Sequence, residues 1–381
     1  MAADRMKIIN PSATVKLSST VAQMRGQGID VISFSLGEPD FDTPRNVSEA
    51  AIKAINAGFT HYTPAAGMPE LREAIAEKSK RDNGIPCEPK NVMAAPAKFA
   101  IYAAVTANID PGDEVIIPDP SWVSYPEIVK LAGGKPVLVP HREGWRWHPD
   151  DIAAAVTPKT RMIMVNSPAN PTGAVYSKED LKGIADIASD RKLLVVSDEI
   201  YEKIIYDGAH HSIASFPDMF ERTITINGFS KAYAMTGWRI GWLVAPDNLF
   251  GDILKIQEHA MTCVASFVQL AAVEALRGPQ DSVRQMKDAF RKRRDLIVDL
   301  MRGIPGFQCD APKGAFYVFP KYDYDMTSEK FADLLLKEAK VAVTPGAAFG
   351  PSGEKHVRIS YAASEKNIIE GMRRINKLGM R

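Results

Sequence analysis

Ser230-Lys231 follows an apolar run at Thr223 to Ile226, and an arginine stands eight residues beyond the lysine, in Met235-Thr236-Gly237-Trp238-Arg239-Ile240-Gly241-Trp242. A lysine behind a strand is ordinarily a solvated surface residue. With a serine before it and an arginine among glycines after it, it is also an amine that can condense with a carbonyl beside groups that can hold a phosphate. Asp198, in Ser197-Asp198-Glu199, ends a second apolar run. A carboxylate buried there can keep a heteroaromatic nitrogen protonated. Two further polar clusters, Pro118-Asp119-Pro120-Ser121-Trp122 and Asn166-Ser167-Pro168, close apolar runs of their own.

Those runs are the elements that must bring the four clusters together. Glu114 to Ile117, Arg161 to Val165, Leu193 to Val196 and Thr223 to Ile226 read as buried strands, with helical patterns such as Lys178 to Ala188 between some of them. Pro69 opens another helix, with Leu71, Ala74, Ile75 and Lys78 in register and Gly84 in the loop beyond. Strands alternating with helices predict a mostly parallel α/β sheet. Ligands of such sheets bind beyond the carboxyl ends of the strands, so the four clusters are expected to face one site. After about residue 280 the pattern changes. Val283, Met286, Phe290, Ile297 and Leu300 repeat along one long amphipathic helix, and Phe316 to Phe319, Val341 to Thr344 and Val357 to Ser360 read as strands of a smaller α+β unit.

Other chemistries are poorly supplied. The 47 basic and 46 acidic residues leave a net charge of +1 and no broad field for nucleic acid or anionic lipid. The run Arg291-Lys292-Arg293-Arg294 is read as a solvated helix face rather than a nucleic-acid patch, and His210-His211 as two exposed loop histidines rather than metal ligands. There is no G-x-G-x-x-G after a strand, no phosphate-binding G-x-x-x-x-G-K-[ST], no H-E-x-x-H, no C-x-x-C and no G-x-S-x-G. Three scattered cysteines, Cys87, Cys263 and Cys309, suggest a reducing compartment. The N-terminal residues hold no sustained apolar core, and no stretch is apolar and long enough to span a bilayer, so a cytoplasmic protein is expected.

A Schiff-base lysine, a phosphate grip and a carboxylate for a ring nitrogen are together the parts of a pyridoxal 5'-phosphate (PLP) site. Asn166-Ser167-Pro168-Ala169-Asn170-Pro171-Thr172-Gly173, Ser197-Asp198-Glu199-Ile200-Tyr201 and Ser230-Lys231-x-x-x-Met235-x-Gly237-x-Arg239-x-Gly241 resemble the signatures of the class I/II aminotransferases, PLP enzymes of fold type I. The likeness also takes in Pro11-Ser12-Ala13-Thr14, Gly37-Glu38-Pro39-Asp40-Phe41, Tyr62-x-x-x-x-Gly67 and Val357-Arg358-Ile359-Ser360-Tyr361, and so covers nearly the whole chain. It implies a large domain at residues 45–282 built on a mostly parallel seven-stranded sheet flanked by helices. It also implies a smaller α+β domain formed by both chain ends, an arm at 1–44 and a C-terminal part at 283–381.

The same resemblance implies roles. Lys231 joins the cofactor covalently and moves the proton in catalysis. Asp198 pairs with the pyridine nitrogen, and Asn170 and Tyr201 hydrogen-bond the phenolic oxygen. Trp122 stacks on the ring, an ordinary core tryptophan being the alternative. Ser230, Arg239 and the backbone at Ala97-Lys98 cradle the phosphate, with Tyr62 reaching it from the partner of a homodimer that shares its active sites. Arg358 clamps the substrate α-carboxylate, and Gly37 lies on a mobile N-terminal segment. The chain departs from relatives at Pro96-Ala97, where they carry Gly-Gly; proline offers no N–H, so donors must start at Ala97. Asn170-Pro171 and Ser167-Pro168 are candidates for cis bonds.

Lys98, Ser12 and Thr14 match the residues with which the bacterial-type aspartate aminotransferases bind a distal carboxylate, although Lys98 could equally be a solvated helix-start lysine. The expectation is a ping-pong aminotransferase for aspartate or glutamate with 2-oxoglutarate or oxaloacetate. The alternatives are prephenate, aromatic or alanine aminotransferase, a PLP-dependent lyase on the same fold, or a non-enzymatic ligand sensor. The sensor would need a basic DNA-binding domain ahead of the arm.

Overall fold

A computed structural model describes residues 3–379 of the chain; the extreme ends of the expected first and last domains, residues 1–2 and 380–381, lie outside the described residues. Its centre is a seven-stranded sheet: β1 (Val92–Ala94), β2 (Glu114–Asp119), β3 (Lys135–Pro140), β4 (Thr160–Asn166), β5 (Leu194–Asp198), β6 (Thr223–Gly228) and β7 (Gly241–Val244). The spatial order is β1-β7-β6-β5-β4-β2-β3. Only β7 runs against its neighbours, pairing antiparallel with both β1 and β6. The sheet is therefore mostly parallel, as expected.

The inner strands are apolar on both faces because helices cover both. One face of the sheet carries Met164, Val196 and Ile226 against the helix Ala97–Asn108, and the other carries Ile163, Val165 and Val195 against the helix Lys178–Asp190. Each such side chain removed from water contributes about 1.5–3 kcal/mol, the driving force that sets register here. That register matters for chemistry. Asn166 at the end of β4 lies opposite Asp198 at the end of β5, and Asp198 lies opposite Ile226 on β6, so the polar residues that follow all three strands emerge at one edge.

Three of the seven strands were not apparent from hydrophobic runs. β1 has three residues, β3 is an edge strand carrying Lys135 and two prolines, and β7 is hidden inside the Arg239-Gly241 motif. The helix Pro69–Asn83 begins at its proline and ends at Gly84, whose φ of +66° is the left-handed cap that glycine accepts without strain.

The rest of the chain packs around the helix Asp281–Arg302, which turns Met286, Phe290, Ile297 and Met301 into a second core with Phe316, Tyr317 and Phe331. Both chain ends contribute. Ile32–Ser33 pairs in parallel with Val341–Ala342, and Tyr317–Val318 and Thr344–Pro345 flank Val357–Ser360 antiparallel.

Two expectations are corrected here. The Arg291–Arg294 run is not wholly a solvated face: Arg294 falls on the buried stripe between Phe290 and Ile297, where it lies over the Tyr206 ring and donates to Asp207 and Pro312, and Arg293 donates to Asp40 at 2.6 Å. The apolar period, not the charge run, decided their direction. His210 and His211 are both partly buried, and His210 Nε2 meets Glu199 at 2.8 Å.

Candidate active site

The carboxyl edge of the sheet opens into a cavity of about 300 Å³. Its walls include Thr14, Gly37, Ala97, Lys98, Trp122, Asn170, Asp198, Tyr201, Ser230, Lys231, Arg239 and Arg358, so twelve residues singled out in the sequence converge. Ser12 does not line it; its hydroxyl lies 3.1 Å from that of Thr14. Tyr62 is 87% exposed on the surface and outside this cavity.

Asp198 ends β5 and is buried at the cavity floor. Its Oδ2 accepts from the Tyr125 hydroxyl at 2.6 Å and its Oδ1 from the Ile200 amide at 3.2 Å. Burial pushes its pKa up to about 6 against those two hydrogen bonds. Lys231 lies on the short helix Phe229–Ala232 directly after β6, and its Nζ donates to the Gly37 carbonyl at 2.5 Å. Burial brings its pKa down to about 8, so a lysine that would be inert at neutral pH is closer to a free amine.

The helix Ala97–Asn108 also begins at the cavity, with Ala97 and Lys98 in its lining. Pro96 is its N-cap, so the proline's missing N–H costs the helix nothing, and the first-turn amides from Ala97 onward have no carbonyl within the helix to bond. Ser230 and Arg239 line the same cavity as Ala97 and Lys98, Arg239 being held with φ +56° and donating to Thr236 O at 2.8 Å. A helix start with a serine and an arginine is an anion site.

Arg358, on the strand Val357–Ser360, is buried. It donates from Nη1 to Asn170 Oδ1 at 3.0 Å and from Nη2 to Ser35 O at 2.6 Å, while its Nε has no partner. Asn170 is placed by Asn166, whose Oδ1 accepts from the Asn170 amide at 2.9 Å and whose Nδ2 donates to Asp198 O at 2.9 Å. The peptide bonds Ser167-Pro168 and Asn170-Pro171 are both cis, as is Asp119-Pro120, which the sequence reading did not single out.

Five wall residues had been given no role, Ile101, Tyr125, Asn166, Ile200 and Tyr317, and two of them are tyrosines. Tyr125 stands three residues after Trp122, at the start of the helix Ser124–Leu131, and its ring meets the indole edge-on with centroids 5.3 Å apart; the Trp-x-x-Tyr spacing was the available signal. Tyr317 stands in the Phe316 to Phe319 run, read only as a strand.

A seven-stranded, largely parallel sheet with a buried aspartate and an enclosed lysine at neighbouring strand ends, facing an anion site, defines a fold type I PLP enzyme. Within that class the chain belongs to the family described as Aminotransferase class I and II, which matches residues 29–375. It is thus a PLP-dependent transferase of amino groups. It is 47% identical to an aspartate aminotransferase of Pyrococcus abyssi over 98% of this chain and 97% of that one. It is 44% identical to an aromatic-amino-acid aminotransferase 2 of Thermococcus litoralis, over 98% and 97%. Its fold matches a Thermus thermophilus aspartate aminotransferase solved with maleate at a TM-score of 0.96, with 40% identity and 99% of each chain covered.

The donor set fits the cofactor. The cavity lining offers a buried acid, an amine, the amide side of Asn170 left after its oxygen has bonded Arg358, and a helix start with a serine and an arginine, the donor types that the cofactor needs.

Proposed function

We propose that this enzyme moves the amino group of aspartate or glutamate to 2-oxoglutarate or oxaloacetate in two half-reactions. Bound PLP supplies an aldehyde that takes up the amino group and a ring that accepts electron density from the substrate Cα. The chain does the rest. Lys231 holds the cofactor and then carries a proton to and from the substrate Cα, a task its lowered pKa suits. Asp198, ionised and oriented by Tyr125, keeps the ring nitrogen protonated, while Asn170 and Tyr201 donate to the phenolic oxygen and Trp122 covers the ring face. Ser230, Arg239 and the Ala97-Lys98 amides hold the phosphate. Arg358 takes the α-carboxylate in its planar fork.

The observation that carries the substrate class is a pair of cations in the lining of one cavity without carboxylate partners among the described residues. Arg358 is buried and, among the described residues, bonded only to neutral oxygens. Lys98 remains exposed at the cavity mouth with its Nζ 4.8 Å from the Trp122 ring centre; partial covering, then the charge of Arg239, lowers its pKa. Among the described residues neither cation makes a salt bridge. Two such cations suit a dicarboxylate, with Thr14, backed by Ser12, beside the distal group. Prephenate carries a side-chain carboxylate for Lys98 as well. An aromatic donor is the second reading, favoured by the apolar wall of Trp122 and Ile101 and by the name of the Thermococcus relative.

A donor scan decides between them. Lys98→Ala should lose roughly 10- to 150-fold in kcat/KM for aspartate and glutamate and stay within a few-fold for alanine and aromatic donors. An equal loss for all donors, or a parent enzyme that prefers neutral donors, rules out the dicarboxylate reading.

We also propose a cytoplasmic homodimer in which Tyr62 of each subunit reaches the phosphate bound by the other, which accounts for a tyrosine 87% exposed in the single chain. The three cysteines are all free, and among the described residues no helix is long and apolar enough to cross a membrane. We divide the chain at about residues 44 and 282, the outer segments forming the smaller domain, a reading supported by the pairing of Ile32–Ser33 with Val341–Ala342.

A further inference from the structure

Tyr317 touches more of the site than any role assigned so far explains. It is fully buried, and its strand pairs it with Ser360, two residues from Arg358 and therefore on the same face of that strand. Its ring lies under the guanidinium, 4.6 Å from Arg358 Cζ. Its hydroxyl lies 2.8 Å from that of Tyr201 and 2.6 Å from where a Cβ at residue 37 would stand, so a side chain at residue 37, whose carbonyl Lys231 engages, would displace that hydroxyl.

The two hydroxyls constrain each other. Among the described residues the Tyr317 hydroxyl has one hydrogen-bond partner, Tyr201, and the Tyr201 hydroxyl has one, Tyr317. A hydroxyl that gives its proton to a third group must accept from its neighbour, and one that accepts becomes the stronger donor.

We propose that Tyr317 is a positioning residue with two functions: its hydroxyl donates to Tyr201 and so turns the Tyr201 proton toward the cofactor's phenolic oxygen, and its ring face holds Arg358 in plane for the substrate carboxylate. The first function rests on the Tyr201 role proposed above; the second does not. Among the described residues Arg358 has both terminal nitrogens engaged and Nε unpartnered, and two aromatic faces lie against it, that of Tyr317 at 4.6 Å from Cζ and that of Phe349 at 4.9 Å, of which Tyr317 is the nearer.

The test uses holoenzyme and follows cofactor absorbance with pH, together with the affinity for maleate as a dicarboxylate probe. A donor at the phenolic oxygen stabilises its negative charge, so the Lys231 nitrogen gives up its proton at lower pH. Tyr317→Phe should move the absorbance midpoint up by roughly 0.4 to 1 pH unit, the equivalent of one net hydrogen bond. The same variant should bind maleate within about threefold of the parent, because the ring is retained. Tyr317→Leu should in addition weaken maleate by about 3- to 30-fold. Tyr201→Phe, run in parallel, should shift the midpoint in the same direction and further.

An unmoved midpoint in Tyr317→Phe beside a shifted one in Tyr201→Phe overturns the hydroxyl relay and leaves the Tyr201 role standing. Unmoved midpoints in both overturn the Tyr201 role and the relay with it. A lower melting temperature in Tyr317→Phe with no change of midpoint marks a packing residue only. Parental maleate affinity in Tyr317→Leu overturns the second function.

Discussion

Asp198 and Glu199 are adjacent carboxylates at the end of β5, and the chain treats them in opposite ways. Asp198 faces the cavity with two donors, Tyr125 and the Ile200 amide, and no cation in hydrogen-bond contact. Glu199 faces away from it into a saturated network. Its Oε1 accepts from Ser212 at 2.7 Å and Ser197 at 3.0 Å, and its Oε2 meets His210 at 2.8 Å and Asn83 at 3.3 Å. Behind it Lys78 pairs with Glu202, and Asn83 links the two glutamates. Burial works against a charged His210, but Glu199 and then Glu202 hold its pKa above the ordinary value. Burial likewise opposes a charged Glu202, yet Lys78 leads a group of cations that keeps its pKa low. The fold itself neutralises the buried charge behind the sheet and leaves Asp198 short of a counter-charge, the arrangement that suits a site for a cationic ligand group. Glu199, Glu202 and His210 come close enough to bracket an ion, but the Lys78 ammonium already supplies their positive charge.

That contrast sets the order of the expected effects. Asp198→Asn should retain PLP yet lose turnover by a factor on the order of 10²–10³ or more, since a neutral amide cannot hold the ring nitrogen protonated; steady-state kcat at verified cofactor occupancy measures it, and a parental rate would move the role to another group. Lys78→Met on the other side should leave Glu202 buried without its cation. The cost should be about 3–5 kcal/mol of unfolding free energy in urea, with the folded fraction turning over within a few-fold of the parent.

The third effect depends on pH. The folded apoprotein holds the Asp198 proton to about 6, against an ordinary value of 3.8, so between those values the folded state binds more protons than the unfolded chain and loses stability as pH rises. That separation corresponds to a cost of about 3 kcal/mol, complete above pH 6. The slope should be missing in apo Asp198→Asn and reduced in the holoenzyme, where the protonated ring stabilises the carboxylate. Thermal melts of the three forms across pH 4–7 check it, and parallel curves would contradict it. Smallest of all, Glu199→Gln should lose about 1–3 kcal/mol of stability through weakened hydrogen bonds and keep turnover within a few-fold.

The front of β5 was far more legible than the back. Lys231, Asp198, Asn170 and Arg358 sit in short motifs whose residue types have few other uses together, and four of the seven strands announce themselves as apolar runs between turn residues. The network behind Glu199 could not be read in the same way. Its members, Lys78, Asn83, Glu202, His210 and Ser212, come from a distant helix and a loop, and a charged residue carries no sequence mark of being buried. Arg294 escaped for the related reason that its position on the apolar period of its helix counted for more than its place in a basic run. Tyr317 resembled any strand aromatic until folding placed its hydroxyl against Tyr201.

The covalent attachment of the cofactor tests the account most directly. Holoenzyme treated with borohydride and digested should yield the reduced cofactor on the peptide that contains Lys231, at one per chain, and Lys231→Ala should yield none while losing nearly all turnover. Label on Lys98, the other lysine of the cavity wall, or undiminished labelling of Lys231→Ala would contradict the assignment on which the rest depends.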